Sequence, residues 1–323
     1  MTNRYNSTVE MNIEEAKERA GPREFGPADD MPREYREAAT RMIQFHANSE
    51  IMGAYIERPF IRQAPSLDRK LAVSAQVQDE IGHGQLLYRA AEELGVKTRE
   101  EMLDELAAGE AGFLNCFHYP LDDWYELPMI MFFVDGAAMR RQATIKRTSW
   151  EPYAHAIDKI CFEEGFHIKH GEDILRTIAT GSRKDQERLQ EAFERWWPRI
   201  LQFFGPTDDD STHGEFAMEV GLKTMSNDDL RNAFLNAYVP KAEKYGLELP
   251  EYPRVEYHAE DDYYEVYEED LDWEEFFTVA KNELPTGAGQ IEKRERTQAA
   301  VEWVREAIET PDRGGASPAP ADD

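Results

Sequence analysis

Two Glu-x-x-His words stand out in the chain: Glu80 with His83 in QDEIGH, and Glu164 with His167 in EEGFH. Of eight histidines, only these two follow a glutamate by three residues. Each word falls midway along a long helical pattern. Each is preceded by another helical stretch with one acid set among apolar residues, Glu50 in NSEIMGAY and Asp135 in MIMFFVDGAAM. Glu50 and Glu80 are 30 residues apart; Asp135 and Glu164 are 29 apart. A unit of acid-bearing helix, turn and Glu-x-x-His helix therefore occurs twice. Residues three apart share one side of a helix. That side reads Val73, Gln76, Val77, Glu80, His83, Leu87 in the first unit and Ile157, Ile160, Glu164, His167, Ile174 in the second. A carboxylate buried in such company costs several kcal/mol unless it is protonated, paired or bound to a cation. Four carboxylates with two imidazoles suit two divalent or trivalent metal ions. Hard oxygen mixed with imidazole nitrogen favours iron or manganese. Buried salt bridges explain any one of the six positions, but not all six in this order and spacing.

The neighbours of these six need separate weighing. Asp79 and Glu163 each precede a candidate ligand by one residue, about 100° round the helix. They are expected to hold a ligand imidazole from behind rather than to bind metal. His46 lies one turn before Glu50 and is a further candidate for that supporting role; His170 is expected on a flank. Gly82, Gly84 and Gly136 thin the helices beside the acids, for close helix packing or to leave room for oxygen or a substrate.

The elements that must position these residues are helices. The spacing predicts helices over 33–57, ended by ERP, and 67–94, capped by Ser66 and stopped by Gly95. It predicts others over 98–108, 123–148 and 152–180. Less regular candidates follow at 183–204, 211–222, 226–246, 270–284 and 288–309. Residues 251–270 are acidic and aromatic, with room for a short extended piece. Strand patterns are otherwise scarce, so the fold class is all-α, a four-helix bundle with additional C-terminal helices. The organisation reads as an N-terminal arm (1–31), a bundle with attached helices (32–250), an acidic aromatic segment with C-terminal helices (251–310), and a tail (311–323) with the Pro/Gly/Ala/Asp composition of disorder.

Composition narrows the function classes. The 323 residues carry 37 Lys and Arg against 65 Asp and Glu, a net charge of −28. Such a surface repels nucleic acid and anionic membranes, so neither is expected as a partner. The acid is spread along the whole chain, which suits a halophilic source whose salt screens the self-repulsion. No apolar run approaches the roughly 18 residues of a membrane span, and the polar N-terminus has no apolar signal core. A soluble, cytoplasmic protein is expected. Cys116 and Cys161 form no CxxC word and read as buried hydrophobes. No GxGxxG or GxxxxGK[ST] word is present, so electrons for any redox chemistry come from another protein.

Four stretches carry a resemblance: RMIQFHANSEIMG, RQAPSLDRKLAVSAQVQDEIGHGQLLYRAAEELG, DGAA, and PYAHAIDKICFEEGFHIKHGED. Together they resemble the catalytic A subunits of the bacterial phenylacetyl-CoA epoxidases, a ferritin-like di-iron family. The likeness extends over roughly residues 33–250. It implies a ferritin-like bundle holding two iron ions on Glu50, Glu80, His83, Asp135, Glu164 and His167, the family also carrying Asp at the third position. It implies a monooxygenase of phenylacetate catabolism, an aromatic-degradation route, that makes the ring 1,2-epoxide of phenylacetyl-CoA. The co-substrates implied are O2 and reducing equivalents from NADPH. It implies a multisubunit complex in which a related metal-free ferritin-like subunit, a small bridging subunit, and a reductase carrying flavin and an iron–sulfur centre take part. Arg41 and Lys223 stand at positions similar to the family's coenzyme A contacts. Residue 76 is Gln where the family commonly has Lys, which leaves phosphate recognition open to rearrangement. Two alternatives remain: a related di-iron oxygenase on another aromatic acyl-CoA such as benzoyl-CoA, and a metal-free ferritin-like scaffold subunit, which predicts lost ligands.

Overall fold

A computed structural model describes residues 25–27, 29–207 and 214–280. The expected helix at 288–309, the tail and nearly all of the N-terminal arm lie outside the described residues. The helix α1 (Arg33–Glu57) runs unbroken until Arg58-Pro59, where Pro59 opens the five-residue α2 (Pro59–Gln63). Proline is tolerated at that first helical position because the N–H it lacks would have no partner there. The chain then turns at Ser66, whose side chain accepts a hydrogen bond from the Arg69 backbone N–H at 3.2 Å and starts α3 (Leu67–Glu92). Gly95 ends this hairpin in the left-handed conformation, φ 69°. Thr98 and Glu101 form a capping box for α4 (Arg99–Ala108).

The third bundle element differs from the expected helix over 123–148. Residues 124–126 form a turn, a π-helix occupies Met129–Val134, and only then does α5 (Asp135–Ile145) begin. The π segment is closely packed. It lies against α6 (Glu151–Ala179), where a Cβ added to Gly171 would meet the Met131 carbonyl carbon at 2.5 Å. Only glycine lets the two backbones come this close. The π-helix carries one extra residue per turn and so re-aims the side chain at its end, Asp135.

Beyond the four bundle elements, α7 (Arg183–Leu201) starts from a Ser182/Asp185 capping box, α8 (Gly214–Glu219) is short, and α9 (Asn227–Lys244) starts at Ser226. The helix expected over 211–222 is therefore much shorter, and its first residues lie outside those described. The acidic aromatic segment holds an antiparallel pair, β1 (Val255–His258) and β2 (Tyr263–Val266), with Val255 opposite Val266. It is followed by α10 (Trp273–Ala280). Arg231, buried in α9, bonds the Leu201 carbonyl at 3.1 Å and pairs with Asp228 and Glu268, fixing this region to the bundle.

The apolar core is split in two. One cluster takes the C-terminal part of α1 (Met52, Ile56), the start of α3 (Val73, Val77), the π-helix and the end of α6. The other takes the start of α1 (Tyr35, Ile43, Ala47), the end of α3 (Leu87, Tyr88) and the start of α6 (Tyr153, Ile157, Ile160). The layer between them is polar. It is where Glu50, Glu80, His83, Glu164 and His167 fall. Among the described residues no helix is long and apolar enough to cross a membrane.

Candidate metal centre

The structure brings all six sequence-predicted residues into that polar layer, each from its own place on α1, α3, α5 or α6. All are buried: Glu50 is 7% exposed, Glu80 6%, His83 0%, Asp135 7%, Glu164 2% and His167 3%. They form two overlapping groups. Glu50, Glu80, His83 and Glu164 each offer one ligand-type atom within 4.8 Å of the others, and so do Glu80, Asp135, Glu164 and His167. Glu80 and Glu164 belong to both groups, so they stand between two potential cation positions.

The two imidazoles are oriented alike. The His83 Nδ1 faces inward, 3.3 Å from Glu50 Oε2 and 3.6 Å from Glu164 Oε1. The His167 Nδ1 also faces inward, 3.1 Å from Glu80 Oε1 and 3.4 Å from Glu164 Oε2. The outward Nε2 atoms reach carboxylates on the opposite helix: His83 to Glu163 at 3.1 Å, and His167 to Asp79 at 3.3 Å. If Asp79 and Glu163 accept the Nε2 proton, the inward Nδ1 lone pairs are left free to bind a cation. Glu163 is itself anchored by Lys159. His46 supports Glu50, its Nε2 lying 2.8 Å from Glu50 Oε1 while its Nδ1 meets the Tyr153 hydroxyl at 2.8 Å.

Electrostatics mark the layer as short of positive charge. Burial, and then the charges of Glu164 and Glu50, push the Glu80 carboxyl well above its usual range. Burial, Glu164 and Glu57 do the same to Asp135. At Glu50, burial works upward but the hydrogen bonds of His46 and His83 overcome it and hold the group low. At His167 burial opposes the charged form, yet Glu164 and Glu80 raise it far above the ordinary value. Although they lie 3.4 Å apart, Glu164 Oε2 and His167 Nδ1 are buried without a well-aligned hydrogen bond among the described residues. A pair of cations would satisfy these orphaned atoms and offset four clustered carboxylates, so the donor set fits two metal ions of the iron or manganese kind.

Sequence reasoning missed Glu57. It lies two turns after Glu50 on the same face of α1, a spacing open to reading. It is 1% exposed and accepts from Gln76 Nε2 at 3.0 Å; the same Nε2 lies 3.3 Å from Asp135 Oδ2. Burial pushes its carboxyl up to about 8. A cavity beside the layer is lined by Phe45, Leu114, Phe117 and Phe203, with His46, Arg141 and the carboxylates on its polar side. Its enclosed space is about 30 Å³, room for one water-sized group. Arg41 is exposed on α1, and Lys223 donates to Asn227 Oδ1 at 2.8 Å; neither lines this cavity. His170 is half-buried on the flank of α6, its ring pulled down to about 4 by burial and Arg69. Gly84 packs closely on Ile51 and Gly136 on Tyr238, whereas Gly82 faces open space. Cys116 and Cys161 are buried and unbridged.

The model of the phenylacetic acid catabolic protein family matches residues 11–309. Among curated proteins, the A subunit of 1,2-phenylacetyl-CoA epoxidase from Escherichia coli (strain K12) is 38% identical over 281 residues, which span 87% of this chain and 90% of the relative.

Proposed function

The chain belongs to the phenylacetic acid catabolic protein family, and from that premise we propose that it is the oxygen-activating, iron-binding subunit of a multisubunit monooxygenase that epoxidises the aromatic ring of phenylacetyl-CoA. The observation that carries this reading is the pair of overlapping four-residue groups sharing Glu80 and Glu164. Glu50 and His83 would hold one iron, Asp135 and His167 the other, with Glu80 and Glu164 between them. Two bound irons would supply the reductive use of O2, one oxygen atom going to the ring and the other leaving as water with two electrons and two protons.

The chain's own residues do the rest. Asp79 and Glu163 hold the imidazole rings in the orientation that turns Nδ1 inward. The aromatic wall of Phe45, Phe117 and Phe203 excludes water and offers the ring an apolar seat. Since about 30 Å³ is too small for a benzene ring, those side chains must turn aside on substrate entry. No nucleotide-binding word occurs in the sequence, so an NADPH-dependent flavin and iron–sulfur reductase would deliver the electrons. A metal-free ferritin-like subunit, together with a small bridging subunit, would complete the complex in the cytoplasm.

The test is oxygen consumption by the iron-loaded chain with phenylacetyl-CoA, reductase and partner subunits, run beside Glu80→Ala. Substrate-dependent uptake that the variant abolishes is the expected result. Equal uptake in the variant overturns the assignment, and faster turnover of benzoyl-CoA moves it to another aromatic thioester.

A further inference from the structure

Arg141 supplies the guanidinium on the lining of the cavity beside the candidate metal centre. Arg231 pairs with Asp228 and Glu268, and Arg195 with Asp122 and Glu126, whereas Arg36 on α1 has a buried Nε without a partner among the described residues. Arg141 lines the cavity beside the candidate metal centre, six residues after Asp135 on α5, yet its guanidinium has no hydrogen bond or ion pair to any described residue. It is partly buried, and burial pulls its pKa below the ordinary value. A guanidinium presents five N–H donors in a planar fork and cannot shed its charge at neutral pH. In a cavity walled by Phe45, Leu114, Phe117 and Phe203, that fork is available to an acceptor that a ligand brings.

An aromatic acyl thioester brings one acceptor close to its ring, the carbonyl oxygen. The coenzyme A phosphates lie far off at the end of the pantetheine arm, beyond a cavity of this size. Resting on the epoxidase reading, we infer that Arg141 donates hydrogen bonds to the thioester carbonyl of the substrate and so sets which ring carbons face Glu80 and Glu164. The apolar wall grips the ring, and the guanidinium fixes its rotation and depth. One methylene separates carbonyl from ring in phenylacetyl-CoA and none does in benzoyl-CoA, so a fixed carbonyl also discriminates between them.

The experiment is calorimetric binding of two ligands to the full chain, purified with its partner subunits. One ligand is phenylacetyl-CoA; the other is phenethyl-CoA, the thioether that lacks only the carbonyl oxygen. Wild type should bind the thioester about tenfold or more tightly than the thioether, as a charge-assisted hydrogen bond requires. Arg141→Met should bind both equally, at the thioether's wild-type affinity, and Arg141→Lys should restore part of the preference. The ratio is taken within each protein, so partial unfolding does not imitate it. A tenfold preference that persists in Arg141→Met overturns the inference. Wild type that binds both ligands equally also overturns it, while leaving the epoxidase reading intact. Wild type that binds neither overturns the reading and the inference together.

Discussion

His83 Nε2 lies 3.1 Å from Glu163 Oε2, and the residue after Glu163 is the carboxylate that His83 Nδ1 faces at 3.6 Å. The second half repeats the arrangement, with His167 Nε2 on Asp79 and Nδ1 on Glu80. Each helix thus presents an acid pair that the opposite imidazole spans from front to back. Glu163→Ala and Asp79→Ala should each weaken ferrous-ion affinity about 10–100-fold while leaving helicity unchanged. Calorimetric titration of the anaerobic protein reads this directly. Affinity equal to wild type in both variants would assign the two acids to surface ion pairing alone.

Glu80 and Glu164 are shared between the two groups, whereas Glu50 and Asp135 each belong to one. Removing a shared carboxylate should therefore empty both positions. Iron content after anaerobic loading should fall from two per chain to below about half an iron in Glu80→Ala, and to near one in Glu50→Ala. Similar content in the two variants would contradict the sharing.

The bundle and the gathering of the six residues in one layer were legible because both rest on helical periodicity. An acid or imidazole on an apolar stripe shows in one dimension, and the doubled hairpin spacing raised it above chance. The offset of one residue made it legible that Asp79 and Glu163 would stand beside the imidazoles, which they contact. The π-helix was not, because nothing local in MIMFFV distinguishes it from an α-helix; the backbone it packs against, at Gly171, lies forty residues away on α6. Glu57 was overlooked although it shares the face of Glu50, since it lies at the end of α1 where a charged residue reads as solvated. Arg141 escaped notice for a related reason: only the structure shows that it lines a cavity and has no ion pair to an acid among the described residues.

Gly171→Ala tests the π segment. The added Cβ would meet the Met131 backbone at 2.5–2.6 Å, and backbone cannot swing aside. Overpacking of this kind costs about 1–3 kcal/mol, and each kcal/mol lowers Tm by about 2–4 °C. At Gly84 the nearest atoms belong to the flexible Ile51 side chain, at 2.7 Å, so Gly84→Ala should be the milder change. Thermal scans of the two variants give the comparison, and the reverse order would disprove it.

The charge of −28 predicts a dependence on salt. Self-repulsion between exposed carboxylates destabilises the folded chain more than the expanded one, and salt screens it. Raising sodium chloride from about 0.1 M to about 2 M should lift Tm by several degrees. A Tm that stays level over that range would remove the support for a salt-adapted source.

Glu57 predicts a dependence on pH in the metal-free protein. Burial moves its carboxyl from 4.5 to about 8, so the folded state keeps a proton that the unfolded state gives up. Between those two values the native chain binds more protons than the unfolded one, and stability must fall as pH rises. The contribution is fully present below 4.5 and lost above about 8. Glu57→Gln keeps the shape and an acceptor for Gln76 Nε2 but cannot ionise. Its Tm should match wild type near pH 5 and exceed it near pH 8.5, by a margin that grows steadily between, as about one proton's linkage requires. Parallel Tm-against-pH curves for the two proteins would mean that Glu57 is ionised in the fold, with a cation-like partner that the hydrogen bond from Gln76 does not supply.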